Sequence, residues 1–240
     1  MLDTSSSTAT PDQNSKLVLG IDTCGPMGSV ALGRLAGRDL EILGQIELEG
    51  RSYSATLVAA VSGLLAGAGV GLRDLRGIVV VNGPGSFTGV RVGLSAVKGL
   101  AEGTQISVAA VSRLEVLSRK ANVLSSALDA HRGEVFLRVE GAGIETRELL
   151  AGARELAAID PVPWRIAICD EAAAAILAAA WPGAQLVRGS APVAADALRM
   201  GEARLAASGQ VDLALLDGHY LRRSDAEIFG EPTAAGTQST

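Results

Sequence analysis

Aromatic side chains make up only 3% of this 240-residue chain, which also has just two cysteines and two histidines. Each scarcity excludes something. A core with so few rings must be aliphatic, drawn from the Leu, Val, Ile and Ala that dominate the 48% of apolar residues. Cys24 and Cys169 make neither a disulfide framework nor a CxxC pair, and such sparse use of cysteine fits a reducing cytoplasm. His131 and His219 lie far apart, so no HxxxH or HExxH metal motif exists. Positive charge is short as well. The 21 Lys and Arg against 26 Asp and Glu leave a net charge of −5, which argues against a self-sufficient nucleic-acid binder. No apolar run is long enough to span a membrane without Gly, Pro or charge breaking it. Residues 1–15 have no basic start and no apolar segment, so they read as a disordered tail rather than a signal peptide. Residues 230–240 read as a second disordered tail.

What is present centres on Gly77 to Gly103, GIVVVNGPGSFTGVRVGLSAVKGLAEG. Ile78 to Val81 is a β-branched run that predicts a buried strand. The NGPG that follows ends it, because Pro84 lacks a donor and Gly83 and Gly85 favour a turn. Thr88 is the expected cap of a helix carrying Val92, Val97 and Leu100. A glycine-rich turn before a helix N-terminus can bind an anion. It matches neither the P-loop ending Gly-Lys-Ser/Thr nor GxGxxG, however, and a glycine loop alone more often shapes a tight turn than binds phosphate. Ser86 is not in a GxSxG elbow and reads as a turn or cap residue. Along the helix Gly89, Gly93 and Ala96 form one small-residue stripe. Such a stripe costs helix stability and permits close approach of another helix, either within the chain or from a second protein.

Upstream, Leu17 to Asp22, Ser29 to Leu32 and Leu40 to Leu48 predict a β-meander, not a dinucleotide-binding βα alternation. Tyr53 to Ala68 predicts a helix with Leu57, Val61 and Leu64 facing the core and a second, small stripe at Ala55, Ala59, Ser62 and Ala66. Downstream, Ser107 to Val111 predicts a strand, and Ser112 with Glu115 has capping-box spacing for the next helix. Val123 to Val139 then repeats the opening, with a strand ending in Asp129 as the first ends in Asp22, a glycine turn and a returning strand. Arg147 to Ala158 predicts a helix, Arg165 to Asp170 a strand, and Glu171 to Ala180 and Pro192 to Ser208 two more helices.

The loop motif GPGSFTGVRVGLSAVKGLA, with LGIDTCGPMGSVAL near the start, resembles the TsaB/YeaZ family. These are bacterial proteins that partner TsaD in making threonylcarbamoyladenosine on tRNA. LDAHRGEVFL and HYLRR extend the resemblance over most of Lys16 to Phe229. The resemblance implies an α/β, duplicated two-lobe fold of the actin-like ATPase (ASKHA, RNase H-like) type, with lobes at 16–111 and 112–229. It implies a non-catalytic cytoplasmic subunit that docks on TsaD through the helix faces at Ala55, Ala59, Ser62, Ala66, Gly89, Gly93 and Ala96. TsaE and TsaC are implied co-workers, tRNA an indirect partner and a homodimer a state of the free protein. No cofactor or metal is expected on the chain itself, with ATP or ADP only at the partner interface. The loop residues Gly83, Gly85, Ser86 and Thr88, together with Asp22 and Asp129, are the candidates to lie near such a nucleotide. In an active actin-like ATPase such carboxylates hold Mg²⁺ or position water; the favoured reading here is that each Asp ends its strand by bonding to its own turn. Tyr53 stands where relatives often have His.

Overall fold

A computed structural model of the chain describes residues 16–37, 39–50, 52–141, 144–207 and 212–222. The two expected tails lie outside these residues, as do Arg51 and Arg223. The opening meander forms as predicted, from β1 (Lys16–Asp22), β2 (Met27–Ala36) and β3 (Asp39–Glu49). It is followed by α1 (Tyr53–Gly67), β4 (Leu75–Val81), α2 (Phe87–Thr104) and β5 (Ser107–Val111). The sheet order is β3-β2-β1-β4-β5, with β4 parallel to both β1 and β5. After α3 (Arg113–Lys120) the pattern recurs: β6 (Ser125–Asp129), β7 (Val135–Gly141), β8 (Ile144–Ala151), α4 (Ala153–Ala157), β9 (Arg165–Ile168), α5 (Glu171–Ala180) and β10 (Gln185–Arg188). Its sheet order, β8-β7-β6-β9-β10, repeats the first strand for strand. The faint repeat in sequence is thus a duplicated α/β lobe, and α6 (Ala194–Ala207) is the last helix among the described residues.

Two expectations need correction. Arg147 to Ala151 belongs to a strand, and only Ala153–Ala157 is helical. Pairing with β7, Val135 opposite Ala151 and Val139 opposite Arg147, overrides the local preference. The Ser112–Glu115 capping box is half formed. Ser112 accepts from Leu114 N at 3.2 Å, but Glu115 reaches away to Arg204 on α6 at 2.7 Å.

The lobes exchange helices. α3, which follows the first sheet, packs on β6, β7 and β9 of the second, with Leu114 and Leu117 buried beside Leu128, Phe136 and Ala167. α6, which follows the second sheet, packs on β1, β2, β4 and β5 of the first and adds Ala194, Ala195, Ala197 and Leu198 to that core. A division at residue 111 therefore separates the sheets but not the cores. Small residues set the separation of sheet and helix. A Cβ on Gly20 would lie 2.7 Å from Ala194 O and 2.8 Å from Leu198 Cγ, so α6 sits almost directly on the β1 backbone.

A bulky residue at that contact must push the helix off the sheet. Gly20→Val is expected to destabilise the chain by about 2–3 kcal/mol, read as a lowered urea midpoint with secondary structure retained. An unchanged midpoint would show that the α6 contact is not tight in solution.

Candidate functional site

The glycine loop, the end of β1 and the start of α3 meet at one point. β4 delivers Asn82 to the loop and α2 leaves it at Phe87. The helix cap is Ser86, whose Oγ accepts from Gly89 N at 3.2 Å. Thr88, expected in that role, is exposed in the first turn instead. Gly83 and Gly85 both take positive φ, +119° and +158°. The loop's polar groups are largely spent within the chain. Ser86 N–H donates to Cys24 O at 2.8 Å, Arg113 N–H to Gly83 O at 2.7 Å and His219 N–H to Asn82 O at 2.7 Å. This is a turn tied on three sides, and the Ser86 amide that an anion would meet is already bonded.

Asp22 and Asp129 occupy equivalent ends of β1 and β6 and fold their turns identically. Cys24 N–H donates to Asp22 Oδ1, and His131 N–H to Asp129 Oδ1, each at 2.8 Å. Their surroundings differ. Asp129 is partly open, with His131 Nδ1 2.9 Å from its Oδ2. Asp22 is 1% exposed, and its Oδ2 lies 3.5 Å from Nε of the equally buried Arg113. Neither of those two atoms has a hydrogen-bond partner, so charge alone joins them. Burial would drive the Arg113 proton off, and the Asp22 carboxylate outweighs it. A fixed guanidinium thus sits against the carboxylate that an actin-like ATPase would offer to Mg²⁺. Burial and then Asp22 push the Cys24 thiol up, and its Sγ donates to Val81 O at 3.2 Å; a thiol so held is inert. The same two causes push Tyr53 up to about 12, and its hydroxyl donates to Gly25 O at 2.8 Å. Among the described residues no group of three or more His, Cys, Asp or Glu is placed to hold a metal ion.

The two small-residue stripes have opposite fates. A Cβ on Gly89 would lie 2.0 Å from Thr23 O, and one on Gly93 2.4 Å from Thr23 Oγ1. Thr23 Oγ1 donates to Gly89 O at 2.7 Å. These two glycines seat α2 on the β1–β2 turn and are buried, which corrects the expectation that they present a docking face. Ala96 remains half-exposed. On α1, Tyr53, Leu57, Val61 and Leu65 turn inward, while Ala55, Ala59, Ser62 and Ala66 are all exposed. Val58, also exposed at 60%, joins them. The helix has no charged residue from Tyr53 to Gly67. An apolar groove of about 450 Å³ runs between it and α2, lined by Tyr53, Leu57, Val58, Val92 and Ala96 among others.

Three features escaped the sequence reading. Arg113 is the first, although a cation in the first turn of a helix opposes the helix dipole and so signals a special reason to be there. Glu148 is the second: placed on β8, it accepts from Ser112 at 2.6 Å, Arg138 at 2.8 Å and His219 at 2.8 Å. Burial alone would raise its carboxyl, but those bonds outweigh it and hold the group below the usual range. Third, the segment 212–222 straps across the glycine loop. Asn82 Nδ2 donates to Asp217 O at 3.1 Å, His219 reaches Glu148, and Arg222 pairs with Glu134.

The profile of the family described as "TsaD: tRNA N6-adenosine threonylcarbamoyltransferase" matches residues 43–152. The tRNA threonylcarbamoyladenosine biosynthesis protein TsaB of Bacillus subtilis is 37% identical over 123 residues, covering 50% of this chain and 52% of that protein. TsaB of Escherichia coli is 33% identical over 125 residues, again 50% and 52%. The chain thus spans about half the length of the curated relatives it matches. The solved structure of YeaZ from Pseudomonas aeruginosa superposes with a TM-score of 0.65 at 25% identity, over 86% of this chain and 100% of that one.

Removing one member of a buried ion pair strands the other. Arg113→Ala is therefore expected to cost about 3–5 kcal/mol, with the double change Asp22→Asn and Arg113→Met recovering most of it; urea unfolding of the two variants against the wild-type chain decides. A loss under about 1 kcal/mol in Arg113→Ala would mean that the pair holds nothing. Tyr53 gives a test at high pH. Its folded pKa lies above the ordinary value of about 10, so its contribution is complete below about pH 10 and fades as pH rises towards 12. Tyr53→Phe should abolish a phenol titrating near 12 in the ultraviolet absorbance of the native chain and flatten that part of the alkaline stability curve.

Proposed function

The chain belongs to the TsaB/YeaZ family, and on that premise we propose that it is the non-catalytic docking subunit of a tRNA N6-adenosine(37) threonylcarbamoyl transferase. The observation that carries this is the bare face of α1. Fifteen residues of helix lie on the surface with no charge, and Ala55, Val58, Ala59, Ser62 and Ala66 open to solvent. An ordinary surface helix carries charged residues on its outer face. One lined with small side chains lets a second helix approach closely, and the groove beside α2 offers that helix a seat. A TsaD-type subunit is the proposed occupant. The chemistry, any metal and most nucleotide contacts belong to that subunit, with a TsaE-type ATPase and a TsaC-type synthase supplying the rest of the cycle in the cytoplasm. On this reading ATP or ADP meets this chain only at the shared interface, and a homodimer through the same face is the resting state of the free protein. The Arg113 guanidinium against Asp22 supports a docking role over that of an independent ATPase, because a carboxylate that already faces a buried cation has less charge to offer a nucleotide's metal.

A charge in the middle of the bare face tests the proposal without touching the core. Ala59→Glu should weaken binding to the TsaD-type subunit of the same organism by at least about 100-fold, the cost of a charge buried without a partner, and dissociate the homodimer, while the far-ultraviolet circular dichroism of the free chain stays unchanged. In a reconstitution with TsaD, TsaE and TsaC, modified adenosine should form with the wild-type chain and fail with Ala59→Glu. Full product without this chain would end the docking-subunit reading. Gly93→Leu is the wrong probe, since it collides with Thr23 and reports on packing.

A further inference from the structure

A second groove opens on the other flank of α2, about 710 Å³ between that helix and the strap, and Phe87, Arg91, Lys98, Asp217, Tyr220 and Arg222 line it. Its chemistry differs from that of the apolar groove. Phe87 and Tyr220 are both 37% exposed, and their ring centroids lie 5.0 Å apart at a 46° tilt. The Arg91 guanidinium carbon sits 3.8 Å over the Phe87 ring. In a chain with only seven aromatic residues, two half-open rings side by side form a stacking shelf. Seven positions along α2 from Arg91 comes Lys98, on the same groove wall and two turns away, about 10 Å. Neither Arg91 nor Lys98 has an acidic partner among the described residues, whereas Arg222 pairs with Glu134. Asp217 is the one acid among the lining residues, and its carboxylate already accepts from its own neighbour, Gly218 N, at 2.7 Å.

Aromatic faces beside spaced cations are the means by which proteins hold single-stranded nucleic acid: a base stacks on the ring, and the backbone phosphates follow the positive side chains. We infer that this groove binds an unpaired stretch of RNA, with one base against Phe87 and Tyr220 and its phosphates along Arg91 and Lys98. The inference rests on the docking reading for its biological sense, since Phe87 and Arg91 line both grooves and RNA held here would lie beside the docked subunit. With two unpaired cations, the contact is weak in isolation and adds to whatever the partner contributes, as the chain's net negative charge requires.

The test uses the full chain without a partner, so its outcome is independent of whether a TsaD-type subunit docks. A tRNA transcript substituted with 4-thiouridine is irradiated with the chain at low salt, and the crosslinked peptides are identified by mass spectrometry. The expected result is crosslinks on peptides containing Phe87 or Tyr220. Their yield should fall at least fivefold in Lys98→Glu and in Tyr220→Ala, and steeply between about 50 and 200 mM salt. Lys98→Glu is a surface change on a helix and keeps the test valid should Tyr220→Ala loosen the strap. Crosslinks elsewhere on the chain, no crosslinks at low salt, or a yield unchanged in Lys98→Glu would overturn the inference. So would displacement of the transcript by millimolar ATP that itself binds with the same sensitivity to Lys98→Glu, because the ligand would then be a free nucleotide.

Discussion

Arg113 is 6% exposed at the place where the first β-turn, the glycine loop and the start of α3 converge, and the arrangement of the molecule depends on what that guanidinium does. Its backbone N–H holds Gly83 O, its side chain faces Asp22, and its helix packs on the other lobe's sheet. One residue therefore fixes the loop to the strand end and the strand end to the far lobe. An ion pair this deep does not need to add net stability to matter, because leaving either charge unpartnered is costly. It acts as a constraint on geometry. It also sets the charge that the β1 carboxylate faces, a buried guanidinium 3.5 Å from its Oδ2.

The first sheet is covered on both faces, but differently. Alternation along β1 sends Gly20 to α6 and Ile21 towards Gly93 on α2. α6 lies deep, over all five strands. α1 and α2 cover the opposite face as a single layer; the strap at 212–222 lies along the flank of α2, and the small-residue face of α1 is open among the described residues. The glycines of α2 are small because the Thr23 backbone and hydroxyl of the same chain approach them; the alanines of α1 are open to solvent among the described residues.

This difference marks what the sequence could and could not disclose. The meander, the paired aspartates and the stripe on α1 were legible because each is a local pattern, set by alternation, by a turn or by helical spacing. The stripe at Gly89, Gly93 and Ala96 was legible as a stripe, but which way it faces depends on Thr23, sixty-six positions from Gly89. Arg147 to Ala151 read as helix because Glu and Leu favour one, and only the edge of β7 makes it a strand. Glu148 carries no signal in the sequence, because its three donors come from Ser112, Arg138 and His219, none of them a sequence neighbour. The helix exchange left no local mark at all, because the apolar stripe of α6 has the same composition whichever sheet receives it.

That exchange bears on how the chain is made. A ribosome releases the first sheet long before α6, and until residue 207 has emerged the α6 face of β1, β2, β4 and β5 has nothing to lie against. α3 emerges early, but it must wait for β6, β7 and β9. Neither half can bury its core by itself, so the early product is a sheet with one apolar side open, the kind of species that chaperones retain. The two lobes are then expected to close together, late, as one cooperative event, although the duplicated architecture looks as if each copy could fold alone.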